Sequence, residues 1–572
     1  MAVSALDTPP ARSAASTGAE LISEALAAQG LEYLFNLPGN GVYPMLDPLH
    51  EHGIRYILGL HEASLVSMAD GYARATGRVP FVNVYMVPGT ANALSAIYIA
   101  SRDRVPLVVT STQQSRPIVA RDTYASHDDL LGLVRGVTKW SWEVNSVERL
   151  PEAIHRAFKI AATPPLGPVF LSLPVDLFPA RLHGTLNEPS QPTAVPRLGP
   201  PPADVIEHVA DLLVNTERVL IIAGKDVLQC DAVDDLVALA EDLGGAVANE
   251  PWNAVTAFPQ PHSLGFGEYT RDTFDAISPT LVLGVGARMF TEAVSVPEPA
   301  FPPGVRVVTL GLDPMDLGRV QRSDVAAVCD VRQALSALRA AIGGRIDASR
   351  RASRLSTIDA YQSQRRRENQ QLLSEHFDDQ PMSLARLTTE LNRVITPDTV
   401  VVEHGTTSTG MLMTYLELPR PANVFGTGAS VQGWGLPASI GIQLGRPQQR
   451  VLAIVGDGGF TFTCQGLWTA ARYTIPVTVL VLNNHGYRSM RGGMQRGAPR
   501  SSAAGLDFGY DFRIGIGDVA RGFGVPSLSI TDPSDVAEVV GGALAADGPR
   551  VVEVAISPAL TFKPSRTTPM AL

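Results

Sequence analysis

The chain has 572 residues, 45% of them hydrophobic and 18% charged, with a formal net charge of −10. That length fits two to four domains with ample core, and the acidic balance argues against nucleic acid or an anionic membrane as the main partner. The three cysteines, Cys230, Cys329 and Cys464, form no CxxC pair, so they support neither a disulfide framework nor a structural zinc site, and a reducing compartment is expected.

The amino-terminal stretch "MAVSALDTPPARSAAST" lacks the apolar core of about 7–15 residues that marks a signal peptide, and no run reaches the ~18 apolar residues of a membrane span. A cytoplasmic protein is expected. "TGAELISEALAAQG" then predicts an amphipathic helix. Further along, short β-branched runs recur: "FVNVYM", "VPLVVT", "PVFLSLP", "VLIIAG", "LVLGVG", "VRVVTL", "TVVVE", "VLAIVG", "VTVLVL" and "VVEVAI". Helical stretches such as "DAVDDLVALAEDLG" lie between them. Continuous apolar strands alternating with helices predict parallel sheets covered on both faces, and so many strands call for more than one sheet.

Two breaks divide the chain. "NEPSQPTAVPRLGPPPAD" is proline-rich and reads as an extended linker. The charged stretch from Gly343 to about Glu375 carries no strand signal and reads as a surface helix and linker, after which Ser383 is placed to cap the opening helix of the last domain. The expected fold class is α/β, with three domains that are each a mainly parallel sheet flanked by helices. The expected division is 1–186, a linker at 187–204, a central domain at 205–345, a helical linker at 346–380, and a last domain at 381–572.

Two strand ends carry the most informative chemistry. "VLAIVGDGGF" ends in Gly456-Asp457-Gly458, and "VTVLVL" ends in Asn483-Asn484. Ligands of open α/β sheets gather at the carboxyl ends of the strands. A carboxylate and an amide oxygen there suit a hard divalent cation such as Mg²⁺, which takes its remaining ligands from phosphates and water. Gly458 and Gly459 would let the backbone approach those phosphates, and the next helix offers its N-terminus. Alone, the GDG reads equally well as a tight turn with an Asp cap; its pairing with the two asparagines is what makes it specific.

This spacing resembles the thiamine-diphosphate-binding signature. "FNLPGNGVYPMLDPL", "LHEASLVSMADGYARATG", "VPGTANAL", "VTKWSWEVNSVERLPEAIHRAF" and "GPVFLSLPVDL" resemble that superfamily's pyrimidine-binding domain. "GLPASIGIQLG", "LWTAARYTIPV" and "DVARGFGV" resemble its diphosphate-binding domain. The group approached is that of the decarboxylases and acetolactate synthases, with the benzoylformate decarboxylases nearest. The resemblance implies thiamine diphosphate and Mg²⁺ as cofactors, with Asp457, Asn484 and the Gly486 carbonyl on the metal; nothing in the sequence demands a flavin. It also implies that Thr406, Thr407, Gln432, Gly458, Gly459 and Tyr487 bind the cofactor. The two threonines read alternatively as turn residues, and Val431 competes with Gln432 as support for the cofactor.

Glu62 opens a predicted helix and could by itself be an N-terminal cap. The resemblance instead makes it the glutamate that relays a proton to the aminopyrimidine, with His61 beside it packing only. Gln113 falls on the substrate side, or else is a buried amide linking strands. The substrate-side acid–base set departs from the benzoylformate decarboxylases: Asn40 stands for their serine, and Tyr85 and Ala293 stand for their two histidines. Arg488, Arg491, Arg496 and Arg500 either clamp an acidic substrate under a closing loop or belong to a solvated one. The function implied is cleavage or formation of a C–C bond on 2-oxo acids, with the enamine captured by a second carbonyl compound to give a 2-hydroxy ketone or acid. Simple decarboxylation to an aldehyde is the alternative, and a retired regulatory or assembly subunit is a third reading that the retention of Glu62, Asp457 and Asn484 opposes. Partners implied are the 2-oxo acid, a carbonyl acceptor and further copies of the chain, a homodimer or homotetramer with active sites at a subunit interface.

Overall fold

The computed structural model describes residues 16–557 apart from 120, 183–194, 196, 252–254, 291–299, 407, 409–411, 413–414, 419 and 507, and the side chain of Asn40 is also outside the described set. Half of the expected linker at 187–204, the expected cofactor threonine Thr407 and the position of Ala293 therefore lie outside the described residues.

Each of three segments folds into a six-stranded sheet. The first uses β1 (Tyr33–Asn36), β2 (Arg55–Leu58), β3 (Phe81–Tyr85), β4 (Val108–Gln113), β5 (Trp140–Glu143) and β6 (Val169–Pro174), in the order β2-β1-β3-β4-β6-β5. The second uses β7 (Val219–Ala223), β8 (Ala246–Asn249), β9 (Gly265–Glu268), β10 (Leu281–Val285), β11 (Arg306–Gly311) and β12 (Val325–Val328), in the order β12-β11-β10-β7-β8-β9. The third uses β13 (Val400–His404), β14 (Val424–Phe425), β15 (Val451–Gly456), β16 (Val477–Asn483), β17 (Ser527–Ile530) and β18 (Arg550–Ala555), in the order β14-β13-β15-β16-β18-β17. Neighbouring strands pair in parallel, as in Gly456↔Leu482 between β15 and β16. Strands such as β6 and β16 are buried along their whole length, which is why they read as unbroken apolar runs rather than alternating ones. No helix among the described residues is long and apolar enough to cross a membrane.

The chain divides into two compact units. One comprises Met1–Pro196, Leu436–Gln448 and Thr463–Ile475, the other Arg197–Gly435, Gln449–Phe462 and Pro476–Leu572. Two short pieces from the last third of the sequence thus pack with the first sheet. The first of them packs against the helix Glu62–Thr76, and the second is bonded to Leu58 through Tyr473 and Thr469. A Cβ on Gly71 would lie 2.1 Å from the Ala438 carbonyl oxygen, and one on Gly441 would lie 1.7 Å from that of Met68. Backbone meets backbone there, and glycine is the residue that allows it. At its other end the same helix is tied to the neighbouring helix Met86–Arg102. Buried Arg74 reaches Asp70 at 2.6 Å and Asp103, just past that neighbour's end, at 2.8 Å. Those two carboxylates hold the guanidinium above its ordinary pKa despite burial.

The charged stretch after Gly343 is a single helix, Ala348–Glu375. It is less of a surface element than its composition suggests, because Arg354, Ile358 and Gln362 are buried. Arg354 donates to the carbonyls of Leu213, Glu217 and Leu243 at 2.9, 3.1 and 2.7 Å, at or just past the C-terminal ends of the helices Ala203–Asn215 and Val233–Leu243. Desolvation lowers its pKa to about 10.

Gly441→Ala should be strongly destabilising, since the added methyl has no room and overpacking of this kind costs about 1–3 kcal/mol or more. Thermal unfolding checks this: the variant should melt several degrees lower, whereas Gly542→Ala, inside the helix Val536–Ala545, should not, because nothing lies within 4 Å of a Cβ there.

Candidate active site

The expected site residues fall into two groups, one in each unit. In the first, the helix Glu62–Thr76 is capped not by Glu62 but by His61, whose ring Nδ1 accepts from the Ala63 amide at 3.2 Å. His61 thus has a definite task beyond packing. The Glu62 carboxylate is free of that task and is only 7% exposed. Asn92 donates to its Oε2 at 3.1 Å, and a Cβ on Gly89 would lie 3.0 Å from its Oε1. The "VPGTANAL" stretch therefore has two functions: Gly89 leaves room for the carboxylate, and Asn92, on the same helix face one turn later, holds it. Asn92 was not singled out from the sequence, because nothing in its surroundings marks it as a partner of a residue 30 positions away.

Tyr85 ends β3 and stands just before the helix Met86–Arg102. Its ring fills the space beside Gly39, where a Cβ would come within 1.8 Å of it. Burial, reinforced by the neighbouring Tyr124 hydroxyl, pushes the phenol above its usual pKa. Gln113, at the end of β4, is buried, and its Oε1 accepts from the Gln114 amide at 2.9 Å. Asn40 opens the 3₁₀ turn Asn40–Met45.

In the second unit, Asp457 follows β15 directly and starts the helix Asp457–Thr463. It is 4% exposed. Its Oδ1 accepts from the Gly458 amide at 2.7 Å and its Oδ2 from the Gly486 amide at 3.0 Å. Burial nevertheless raises the carboxyl above its ordinary value. Asn484, just past β16, carries a buried Oδ1 with no hydrogen-bond partner. A desolvated carboxylate beside an unsatisfied amide oxygen is costly as it stands, and a hard cation would satisfy both. The donor set fits Mg²⁺ rather than zinc: no cluster of three or more His, Cys, Asp or Glu able to hold a metal occurs among the described residues.

Gly486 sits at φ 147°, where a Cβ would fall 2.0 Å from the Tyr510 carbonyl oxygen. Its own carbonyl accepts from the Arg488 amide at 3.0 Å. Tyr487 lies over Gly458, whose Cβ would come 2.5 Å from the ring, and the Gln432 amide oxygen would be 3.2 Å from a Cβ on Gly459. The two glycines thus make room for this chain's own side chains as well as for any phosphate. Gln432 Nε2 in turn donates to Thr406 Oγ1 at 2.7 Å, which brings the strand-end threonine, Gln432 and the glycine turn together.

The segment after Gly486 carries secondary structure. It contains the helices Arg488–Gly497 and Pro499–Ala503, and an antiparallel bridge joins Gly486 to Asp511. Asp511 accepts from Arg488 at 2.6 Å and also pairs with Arg491. These two of the four arginines are therefore engaged within the segment. Asp511 was not anticipated; its role depends on a return of the chain that no local pattern announces.

Comparison with known proteins matches residues 16–133, 206–338 and 405–554 to the N-terminal TPP binding, central and C-terminal TPP binding domains of the thiamine pyrophosphate enzymes. The chain is similar to the benzoylformate decarboxylase of Pseudomonas aeruginosa, 30% identical over 95% of this chain and 98% of that protein. It is also similar to a probable acetolactate synthase large subunit of Methanocaldococcus jannaschii, 28% identical over 95% of this chain and 92% of that one. Among solved structures it resembles the thiamine diphosphate-dependent 4-hydroxybenzoylformate decarboxylase of Rhodococcus jostii, with a TM-score of 0.82 and 27% identity over 95% of this chain and 99% of that one. All three domain types occur in order, and the relatives are covered almost end to end; the chain belongs to the thiamine pyrophosphate enzyme family.

Proposed function

We propose that the protein is a thiamine-diphosphate- and Mg²⁺-dependent enzyme that cleaves a 2-oxo acid next to its carbonyl and joins the remaining carbon to a second carbonyl compound, giving a 2-hydroxy ketone or acid. The observation that carries the cofactor assignment is the buried, unpartnered Oδ1 of Asn484 beside the buried carboxylate of Asp457. When bound, thiamine diphosphate supplies the electron sink for bond cleavage beside a carbonyl. Asp457, Asn484 and the Gly486 carbonyl would hold Mg²⁺ against its diphosphate, with Thr406, Thr407, Gly458, Gly459, Gln432 and Tyr487 around it. Glu62 would hold a proton at its carboxyl group against the aminopyrimidine, oriented by Asn92 and given space by Gly89. Residues 1–186, 205–345 and 381–572 would be the three functional domains, and a homodimer or homotetramer in a cytoplasmic setting would bring Glu62 of one subunit to the diphosphate residues of another.

The preference for ligation rests on the substrate side. An imidazole near neutral pKa would return a proton quickly and release an aldehyde. Tyr85 stands in that place with a phenol whose pKa burial has moved further up, so it stays protonated and gives up its proton reluctantly at neutral pH. The Gln113 amide oxygen is held by the next residue's N–H. Slow protonation leaves time for a carbonyl acceptor. Relatives of both kinds, decarboxylase and acetolactate synthase, resemble the chain equally far along its length, so the alternative outcome, free aldehyde, is the one to test against.

Asp457→Ala and Asn484→Ala should each weaken Mg²⁺-dependent binding of thiamine diphosphate while leaving the fold intact. Loss of a direct ligand should cost at least as much as the roughly 10–100-fold typical of outer partners, and calorimetry reads it directly. Undiminished binding in both variants would remove the metal assignment.

Glu62→Gln should bind the cofactor yet slow exchange of its C2 proton in D₂O by about 10²–10⁴-fold, followed by NMR. An unchanged rate would reduce Glu62 to a structural residue.

Feeding an accepted 2-oxo acid with and without an aldehyde acceptor should give mainly ligation product when the acceptor is saturating. Tyr85→His should shift the product ratio toward free aldehyde. Aldehyde dominating in the wild type under the same conditions would favour the decarboxylase reading.

A further inference from the structure

One histidine outside the expected set sits at the centre of the second group. His404 is the last residue of β13, directly before the Gly405-Thr406 turn. Its Nδ1 lies 3.1 Å from the backbone nitrogen of Gly435, and its Nε2 lies 3.0 Å from the carbonyl oxygen of Val431. The Gly435 amide can only donate and the Val431 carbonyl can only accept. A single ring state satisfies both: the neutral imidazole with its proton on Nε2. Gly435 opens the helix Gly435–Gly445, so its amide is one of the N-terminal donors that lack a partner inside the helix. The ring also meets the fully buried Trp434 edge to face, with centroids 5.9 Å apart and planes at 83°. Gly435 is required for this approach, because a Cβ there would lie 2.5 Å from that of His404.

The two anchors bracket Gln432. The preceding residue Val431 and the helix start at Gly435 are both held by the same ring, and between them Gln432 extends its amide to Thr406 Oγ1 at 2.7 Å and to the face of Gly459. Gln432 is thereby locked between the threonine turn of β13 and the glycine turn of β15. An unanchored glutamine, with three rotatable side-chain bonds and both ends polar, would not hold one orientation without cost.

We propose that His404 is a positioning residue for cofactor binding. In its Nε2–H form it fixes the Val431–Gly435 loop so that the Gln432 amide is presented, already bonded to Thr406, beside the diphosphate-type glycines. The proposal rests on the reading of this site as a thiamine-diphosphate site. It makes Gln432 a polar support whose orientation is set by a hydrogen-bonded frame rather than by apolar packing.

The test compares His404→Phe, which keeps a ring against Trp434 and Gly435 but drops both hydrogen bonds, with His404→Gln, which restores one donor and one acceptor. Dissociation constants for thiamine diphosphate are measured by calorimetry at saturating Mg²⁺, alone and combined with Gln432→Met. His404→Phe should bind about tenfold more weakly or worse, as expected for losing two neutral hydrogen bonds, and His404→Gln should recover part of the loss. Gln432→Met should weaken binding in the wild type but add little to His404→Phe, because there the amide is already unplaced. Unchanged affinity in His404→Phe, or penalties that simply add, would overturn the proposal. In the wild-type protein, ¹⁵N NMR of His404 should show the proton on Nε2; a proton on Nδ1 would overturn the proposal whether or not the variants fold. A wild type that binds no thiamine diphosphate would instead overturn the proposed function, while the tautomer measurement would still decide the geometry of the frame.

Discussion

The buried carboxylate of Asp457 and the buried Oδ1 of half-buried Asn484 lie just beyond the ends of adjacent parallel strands, and neither is paired with a cationic side chain by hydrogen bond or ion pair among the described residues. This is the constraint on which the site depends. Burial makes each oxygen expensive, and the register of β15 on β16 places them at one sheet edge. Much of the local geometry serves to keep them there. The Gly458 and Gly486 amides hold the carboxylate, Gly486 accepts a backbone conformation that side chains rarely adopt, and Tyr510 and Asp511 close the following segment back against it.

Glu62 is held by a different logic. Its carboxylate does not cap the helix it opens, because His61 does that, and it is set between a glycine and an asparagine of the next helix. That second helix cannot drift, since Arg74 ties the pair through Asp70 and Asp103. The helix bearing Glu62 cannot rise either, because Gly71 and Gly441 bring backbones into contact. Stability of the fold and orientation of the Glu62 carboxylate are thus the same packing problem in this unit.

The fold class was legible because the strands at the middle of each sheet are apolar on both faces. β3, β4, β6, β7, β10, β11, β13, β15, β16 and β18 all coincide with runs visible in the sequence. The strands not visible there are short or lie toward sheet edges. β5 is half-buried throughout, β14 has two residues, and β8, although buried, is only "AVAN". The candidate site was legible where a single polar residue type stands at a strand end, as at Asp457 and Asn484. It was not legible where one side chain holds another. Asn92, His404 and Asp511 each act by holding another residue, and their spacing to that residue follows from the tertiary fold rather than from any periodicity. The arginine-rich segment shows the same limit, since composition suggested free cations and the fold commits Arg488 and Arg491 to Asp511.

On the proposed function, the Asp457 and Asn484 oxygens would complete a metal site only together with a diphosphate. Titration of the purified protein with Mn²⁺ as a Mg²⁺ surrogate, followed by electron paramagnetic resonance with and without thiamine diphosphate, tests it most directly. Mn²⁺ should be held tightly when the diphosphate is present and weakly when it is absent, because few of the ligands would come from the protein. Full-affinity binding of thiamine diphosphate in a metal chelator, or Mn²⁺ held as tightly without the diphosphate, would contradict it.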